Sequence, residues 1–159
     1  MSWDQLPDYA RVWVYVANRP LTDAEVAAAN TALKAFVREW TAHRRQLAAY
    51  GDVVRGRFVR LAVDESQAGA SGCSIDASVR FLQDLGRRLG VDFFERTTFF
   101  VDAGDGFAPH DREALTAAHA SGQIHDTTPS LDPLVNTKGD FDRAFVKPLG
   151  ESWLKRMVG

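Results

Sequence analysis

The stretch "QLAAYGDVVRGRFVRLAVD" (residues 46–64) holds two runs of β-branched and aromatic residues separated by Arg55-Gly56. Residues of that kind suit a pleated, half-buried strand, and glycine tolerates the left-handed backbone that a tight hairpin turn demands. The pattern predicts two short strands, near 46–54 and 57–63, turning around Arg55-Gly56.

Working outward, "RVWVYVA" (11–17) alternates in the same way and predicts an earlier strand, closed by Pro20. Thr22 with Glu25 three residues on forms a capping box, so a helix should begin there. Val26, Ala29, Leu33, Val37 and Trp40 recur at helical spacing and carry that helix to about His43. After the hairpin comes a loop of small residues, then a second helix with Ile75, Val79, Leu82 and Leu89 on one side and Gly90 as its stop. "RTTFFVD" (96–102) predicts a fourth strand.

The order strand, helix, strand, strand, helix, strand defines an α+β chain of the ferredoxin-like, split β-α-β kind. Its antiparallel sheet should run in the order 4-1-3-2 with both helices on one face. Beyond it, a helix is expected from Asp111 to Ser121, ended by Gly122, and a last short one from Lys147 or Glu151 to Val158. The expectation is a single domain over 1–159, with the βαββαβ core in 1–102 and an extension in 103–159. Leu131, Leu134, Phe141, Phe145, Leu149 and Trp153 make that extension too apolar to stay solvated, so it should pack on the open face of the sheet.

With 45% hydrophobic and 25% charged residues and a net charge of −2, the chain has no global field that draws it to nucleic acid or membrane. Locally, residues 34–60 are basic (Lys34, Arg38, Arg44, Arg45, Arg55, Arg57, Arg60) and residues 102–142 acidic, which reads as two solvated faces. One cysteine excludes an internal disulfide and a multi-thiolate metal site. The N-terminal residues lack an apolar signal core and no apolar run reaches membrane-spanning length, so the expectation is a cytoplasmic protein without a membrane span.

The candidate site follows from chain direction. The C-terminal end of the first helix and the loop after the third strand should meet at one end of the sheet, together with the end of the fourth strand at Asp102. That end would gather His43, Arg44 and Arg45 with Asp64, Glu65, Ser71, Gly72, Cys73, Ser74 and Asp76. Free N–H groups and the positive end of the second helix dipole suit an anion, with Ser71 and Ser74 as donors and Arg44 or Arg45 as counter-charge. The same position favours a thiolate, so Cys73 with His43, oriented by Asp64 or Glu65, is the alternative: nucleophilic catalysis. The structural reading competes with both, since Ser71, Ser74 or Asp76 can simply cap the helix and a small cysteine can simply pack.

Trp13 and Tyr15 on the first strand, with Phe58 and Arg60 on the third, suggest the base-stacking surface of an RNA-binding sheet, but the apolar extension needs that same surface, so nucleic acid is not expected. His110, His119 and His125 with Asp111 and Asp126 match no metal-ligand spacing, and neither metal nor cofactor is expected.

"GASGCSIDASVR", "RVWVYVANRPLT" and "ESWLKR" together resemble a family of small bacterial proteins often labelled ABC transporter ATPases, and "SGCSID" is the most distinctive piece. The resemblance implies a stand-alone, cytosolic protein. An ATPase of that class requires GxxxxGK[ST], and no Gly-Lys-Ser or Gly-Lys-Thr occurs in the chain, so its own motifs do not make it an ATPase. The expected function is binding or regulation of a small anion or protein partner at the "GASGCSID" loop. A Cys73/His43-dependent hydrolase or transferase stands second, and an RNA-binding module third.

Overall fold

A computed structural model describes residues 1–159. The chain is α+β with antiparallel sheets and falls into two compact units, Met1–Glu95 with Leu134–Phe141, and Arg96–Pro133 with Asp142–Gly159.

The first unit is built on strands β1 (Arg11–Val16), β4 (Ala48–Val54) and β5 (Phe58–Asp64), in the order β1-β5-β4 and antiparallel throughout. The β4–β5 turn is where expected: Arg55 and Gly56 both have positive φ, and the Arg57 N–H donates to the Val54 carbonyl. Helix α1 (Asp23–Glu39) starts at Thr22, whose hydroxyl accepts from the Glu25 N–H while the Glu25 carboxylate accepts from the Thr22 N–H. Arg19 clamps both carboxylate oxygens of Glu25 and donates to the Leu89 carbonyl, which joins the start of α1 to the end of α2 (Gly72–Leu89). Gly90 closes α2 in the left-handed region, where a side chain would strain the backbone. Close to that end, a Cβ on Gly86 would lie 2.4 Å from the Val91 carbonyl oxygen, so only glycine lets the chain fold back under the helix.

Alternation gave β1 two faces, but their assignment inverts. Trp13 and Tyr15 face the helices, not the opposite side. The Tyr15 hydroxyl bonds Ser78 of α2, and burial pushes its phenol up. Ala29, Ala32 and Ser78 are small enough to leave room there for two large rings. Trp13 meets Trp40 edge-on, Trp40 meets Phe36, and Phe36 stacks on Phe81 at 4.4 Å, an aromatic column that ties strand and both helices together. The other face carries Val12, Ala62, Tyr50 and Arg60, and is covered by Trp3 and Leu6 of the N-terminal segment and by Phe141. Arg60 lies 3.7 Å over the Trp3 ring while its guanidinium grips Asp52 at 2.7 and 3.0 Å. The aromatics expected to form one stacking surface are therefore divided between two covered faces.

The fourth strand does not join this sheet, so the 4-1-3-2 order is not observed. Along β1, Phe94 makes one parallel bridge to Val16, and at the other end Thr137 bridges Arg11 while the Val12 N–H donates to the Asn136 carbonyl. Two short passages thus border β1. Strand β6 (Phe99–Asp102) instead pairs with β7 (Phe107–His110) through a turn in which Gly104 and Gly106 have positive φ. A local hairpin closes a far shorter loop than a return to β1, and its entropic cost is lower.

The second unit orders its strands β7-β6-β8-β9, with β8 at Pro129–Leu131 and β9 at Val146–Pro148. Its core joins Phe99, Val101, Leu115 and Leu149 with residues of α3 (Arg112–Ala120) and α5 (Leu154–Val158). The apolar extension is thus mostly core in its own right: Leu149 is buried here and Trp153 packs edge-on against Phe99. Asp132 and Lys147 form a largely buried ion pair at 2.6 Å. Helix α4 (Lys138–Ala144) carries the chain from Leu134–Phe141 back to this unit. No helix is long and apolar enough to cross a membrane.

Candidate functional site

Helix α1 ends at Glu39, earlier than periodicity indicated. Trp40 is already extended, and the next residues form a miniature hairpin of β2 (Thr41–Ala42) and β3 (Arg45–Gln46). His43 and Arg44 form its turn with φ of 50° and 65°. Two consecutive non-glycine residues in the left-handed region are uncommon; histidine is among the types that enter it more readily, arginine is not. Trp40 stands at the point of change. Its indole is buried against Leu47 and Val63, and its Nε1–H donates to the Ser74 carbonyl at 2.8 Å.

This bond brings the end of α1 to the first turn of α2. His43, Arg44 and Arg45 are exposed on the hairpin, without a hydrogen bond or ion pair among them. Both strained and charged, the turn presents its basic groups to solvent.

The loop from Asp64 to Ser71 spends most of its polar groups on itself. Asp64 Oδ1 accepts from the Ser66 N–H at 3.0 Å, and Glu65 Oε2 from the Ala70 N–H at 2.8 Å. Gly69 lies against that Glu65 oxygen, 3.0 Å from where a Cβ would sit. Ser71 is the cap of α2: its hydroxyl accepts from the Ser74 N–H while the Ser74 hydroxyl accepts from the Ser71 N–H at 2.7 Å. The reciprocal box usually built with Glu is made here with a second serine, which is why the sequence left the choice open between Ser71, Ser74 and Asp76. Ser74 is buried, Gly72 begins the helix, and Asp76 is exposed without a partner.

Cys73 is exposed and free. No hydrogen bond joins it to His43, and neither Asp64 nor Glu65 bonds the imidazole. The contacts that would assemble nucleophile, base and orienting carboxylate are not made. What remains open is the imidazole, two guanidinium groups, the thiol and the Asp76 carboxylate.

The other flagged polar residues do structural work in the second unit. Asp102 Oδ1 accepts from the Gly104 N–H, and Asp111 caps α3 by accepting from the Ala114 N–H at 2.7 Å. His119 Nε2 and Lys155 Nζ both reach Asp126, at 2.8 and 2.9 Å, and His119 first, then Lys155, holds that carboxyl below the usual carboxylate range. No three His, Cys, Asp or Glu side chains converge as a set of metal ligands.

A region that sequence reading passed over is the groove between α1 and β4, about 580 Å³ in volume and lined by Asn30, Lys34, Arg38, Gln46, Ala49 and Gly51 among others. The available signal was the i, i+4, i+8 spacing of Asn30, Lys34 and Arg38 along one ridge of α1. No protein-family model matches the chain, and no curated protein or solved structure is significantly similar to it.

Proposed function

We propose that the protein is a binding module that takes an anionic group of a partner at the His43-Arg44-Arg45 hairpin beside the start of α2. The observation that carries the reading is the hairpin itself: three basic or titratable side chains on a left-handed turn, all exposed and none neutralised within the chain. Backbone strain of this kind costs stability and persists where the surroundings or a function require it. Cys73 and Asp76 would border the bound group. An exposed free thiol is compatible with the reducing cytoplasm. The family reading carried by "SGCSID" fits a small stand-alone binding protein, without ATP turnover.

The test is binding of a fluorescein-labelled polyglutamate peptide across a salt series. Arg44→Glu with Arg45→Glu should weaken binding about tenfold or more, and wild-type affinity should fall with salt. Equal binding by the double variant overturns the proposal. A second reading, a Cys73-dependent hydrolase or transferase, is favoured by the exposure of the thiol alone. Ester or thioester turnover lost in Cys73→Ala and in His43→Ala would establish it in place of the first.

A further inference from the structure

Strand β4 is the outer strand of its sheet, and one side of its backbone pairs with β5 alone. The Val53 N–H points away from β5, since it donates to Asn30 Oδ1 at 2.9 Å. N–H and C=O directions alternate along a strand, so Ala49 and Gly51 present theirs to the same open side. Natural edges are usually blunted by lysine, proline or a bulge. "AAYGDVV" has none of these, and its only charge, Asp52, is turned to the opposite face and consumed by Arg60. The edge is blocked at Val53 by Asn30 and open from Gly51 back to Ala48.

Above that open half runs the ridge that Asn30 begins. Asn30 bonds the edge, so its neighbours at four-residue spacing, Lys34 and Arg38, lie over the same groove, and both line it. Both are exposed, and neither forms an ion pair. The groove therefore offers two unpaired peptide units on one wall and two uncompensated cations on the other.

We infer that β4 accepts an extended acidic peptide segment as an added strand, its main chain bonded to Ala49 and Gly51 and its carboxylates facing Lys34 and Arg38. Main-chain pairing supplies affinity in such additions, and the alternate side chains supply selectivity. The inference shares with the proposed function only the sign of the partner's charge. It concerns a different surface, so either can fail alone.

The experiment measures binding of four synthetic peptides to the full chain by fluorescence anisotropy: alternating Glu-Val, alternating Lys-Val, and the Glu-Val sequence N-methylated at one or the other set of alternate amides. The unmodified Glu-Val peptide should bind. One N-methylated form and the Lys-Val peptide should not, because the first loses the edge bonds and the second meets like charge. Lys34→Glu with Arg38→Glu should weaken Glu-Val binding by about tenfold or more, and Ala49→Pro, whose N–H is not needed by β5, should do the same. All of these measurements are made in the Arg44→Glu, Arg45→Glu background, which removes the proposed hairpin site, and Glu-Val binding should persist there. Equal binding of the Glu-Val and Lys-Val peptides, or of both N-methylated forms, overturns strand addition. So does binding that survives the Lys34/Arg38 variant, or a dimer of the protein alone that Ala49→Pro dissolves.

Discussion

The Trp40 indole donates to the Ser74 carbonyl at 2.8 Å, and through that bond the last residue before the hairpin anchors the first turn of the second helix. Trp40→Phe keeps a ring in the cavity and removes the bond, and should cost about 1 kcal/mol. Trp40→Ala also empties the space between Leu47 and Val63 and should cost about 3–5 kcal/mol. Urea denaturation of the two variants separates the contributions. An unchanged stability in Trp40→Phe would show that the bond contributes nothing.

Ser71 and Cys73 stand two residues apart with opposite roles. Ser71→Ala removes a capping hydroxyl and leaves the Ser74 N–H unpaired, so stability should fall by about 1 kcal/mol. Cys73→Ala changes an exposed side chain and should stay within about 0.5 kcal/mol of the parent. Iodoacetamide should label the native thiol. Labelling that waits for denaturant would mean that Cys73 is shielded.

On the sheet face away from the helices, Arg60 is held by Asp52 and lies over Trp3. Asp52→Asn breaks a largely buried pair and should cost about 1–3 kcal/mol. Lysine at position 60 should not restore the loss caused by Arg60→Leu, since it offers neither the two-pronged bond nor the planar stack.

Tyr50 donates to Asp52 at 2.7 Å, and burial first, then the Asp52 carboxylate, pushes its phenol up to about 12. A raised folded-state value favours the neutral form in the native protein. The stabilisation is complete below the ordinary tyrosine value near 10 and is lost as pH rises from there through about 12. Ultraviolet titration should show the Tyr15 and Tyr50 tyrosinates appearing late, and Tyr50→Phe should remove the part of that late absorbance that emerges near 12.

Glu25 behaves in the opposite sense. The Arg19 hydrogen bonds first, then the Thr22 N–H, hold its carboxyl down to about 2. Its contribution is present above the ordinary glutamate value of 4.5 and disappears as pH falls through about 2. Thermal unfolding of Glu25→Gln should therefore be less steeply pH-dependent across that interval than the parent. Identical slopes would show that the clamp with Arg19 does not form in solution.

Local chemistry was legible in the sequence wherever a residue type has one main conformational use. Thr22 with Glu25 marked the first helix, Arg55-Gly56 the hairpin and Gly90 the end of the second helix, and each feature lies there because capping and positive φ are decided within a few residues. The small-residue loop before α2 and its capping serine belong to the same class. Alternation likewise separated Trp13 and Tyr15 from Val12 and Val14.

Only tertiary structure decided the rest. Which face of β1 meets the helices depends on how much room Ala29, Ala32 and Ser78 leave, and no periodicity within β1 carries that information. Helix α1 stops at Glu39, where the Trp40 indole finds its acceptor on Ser74, thirty-four residues away, and His43 and Arg44 form the turn that follows. Strand β6 pairs with β7 on one edge and β8 on the other instead of joining β1, a choice of partners that its own residues do not state. The sequence by itself determined the hairpin of β4 and β5, the strand before it, the two long helices and the charges they carry, since those follow from local propensity. Their partners, and hence which cations and which backbone edge stay open, were settled by long-range competition for burial and hydrogen bonds, which no local pattern encodes.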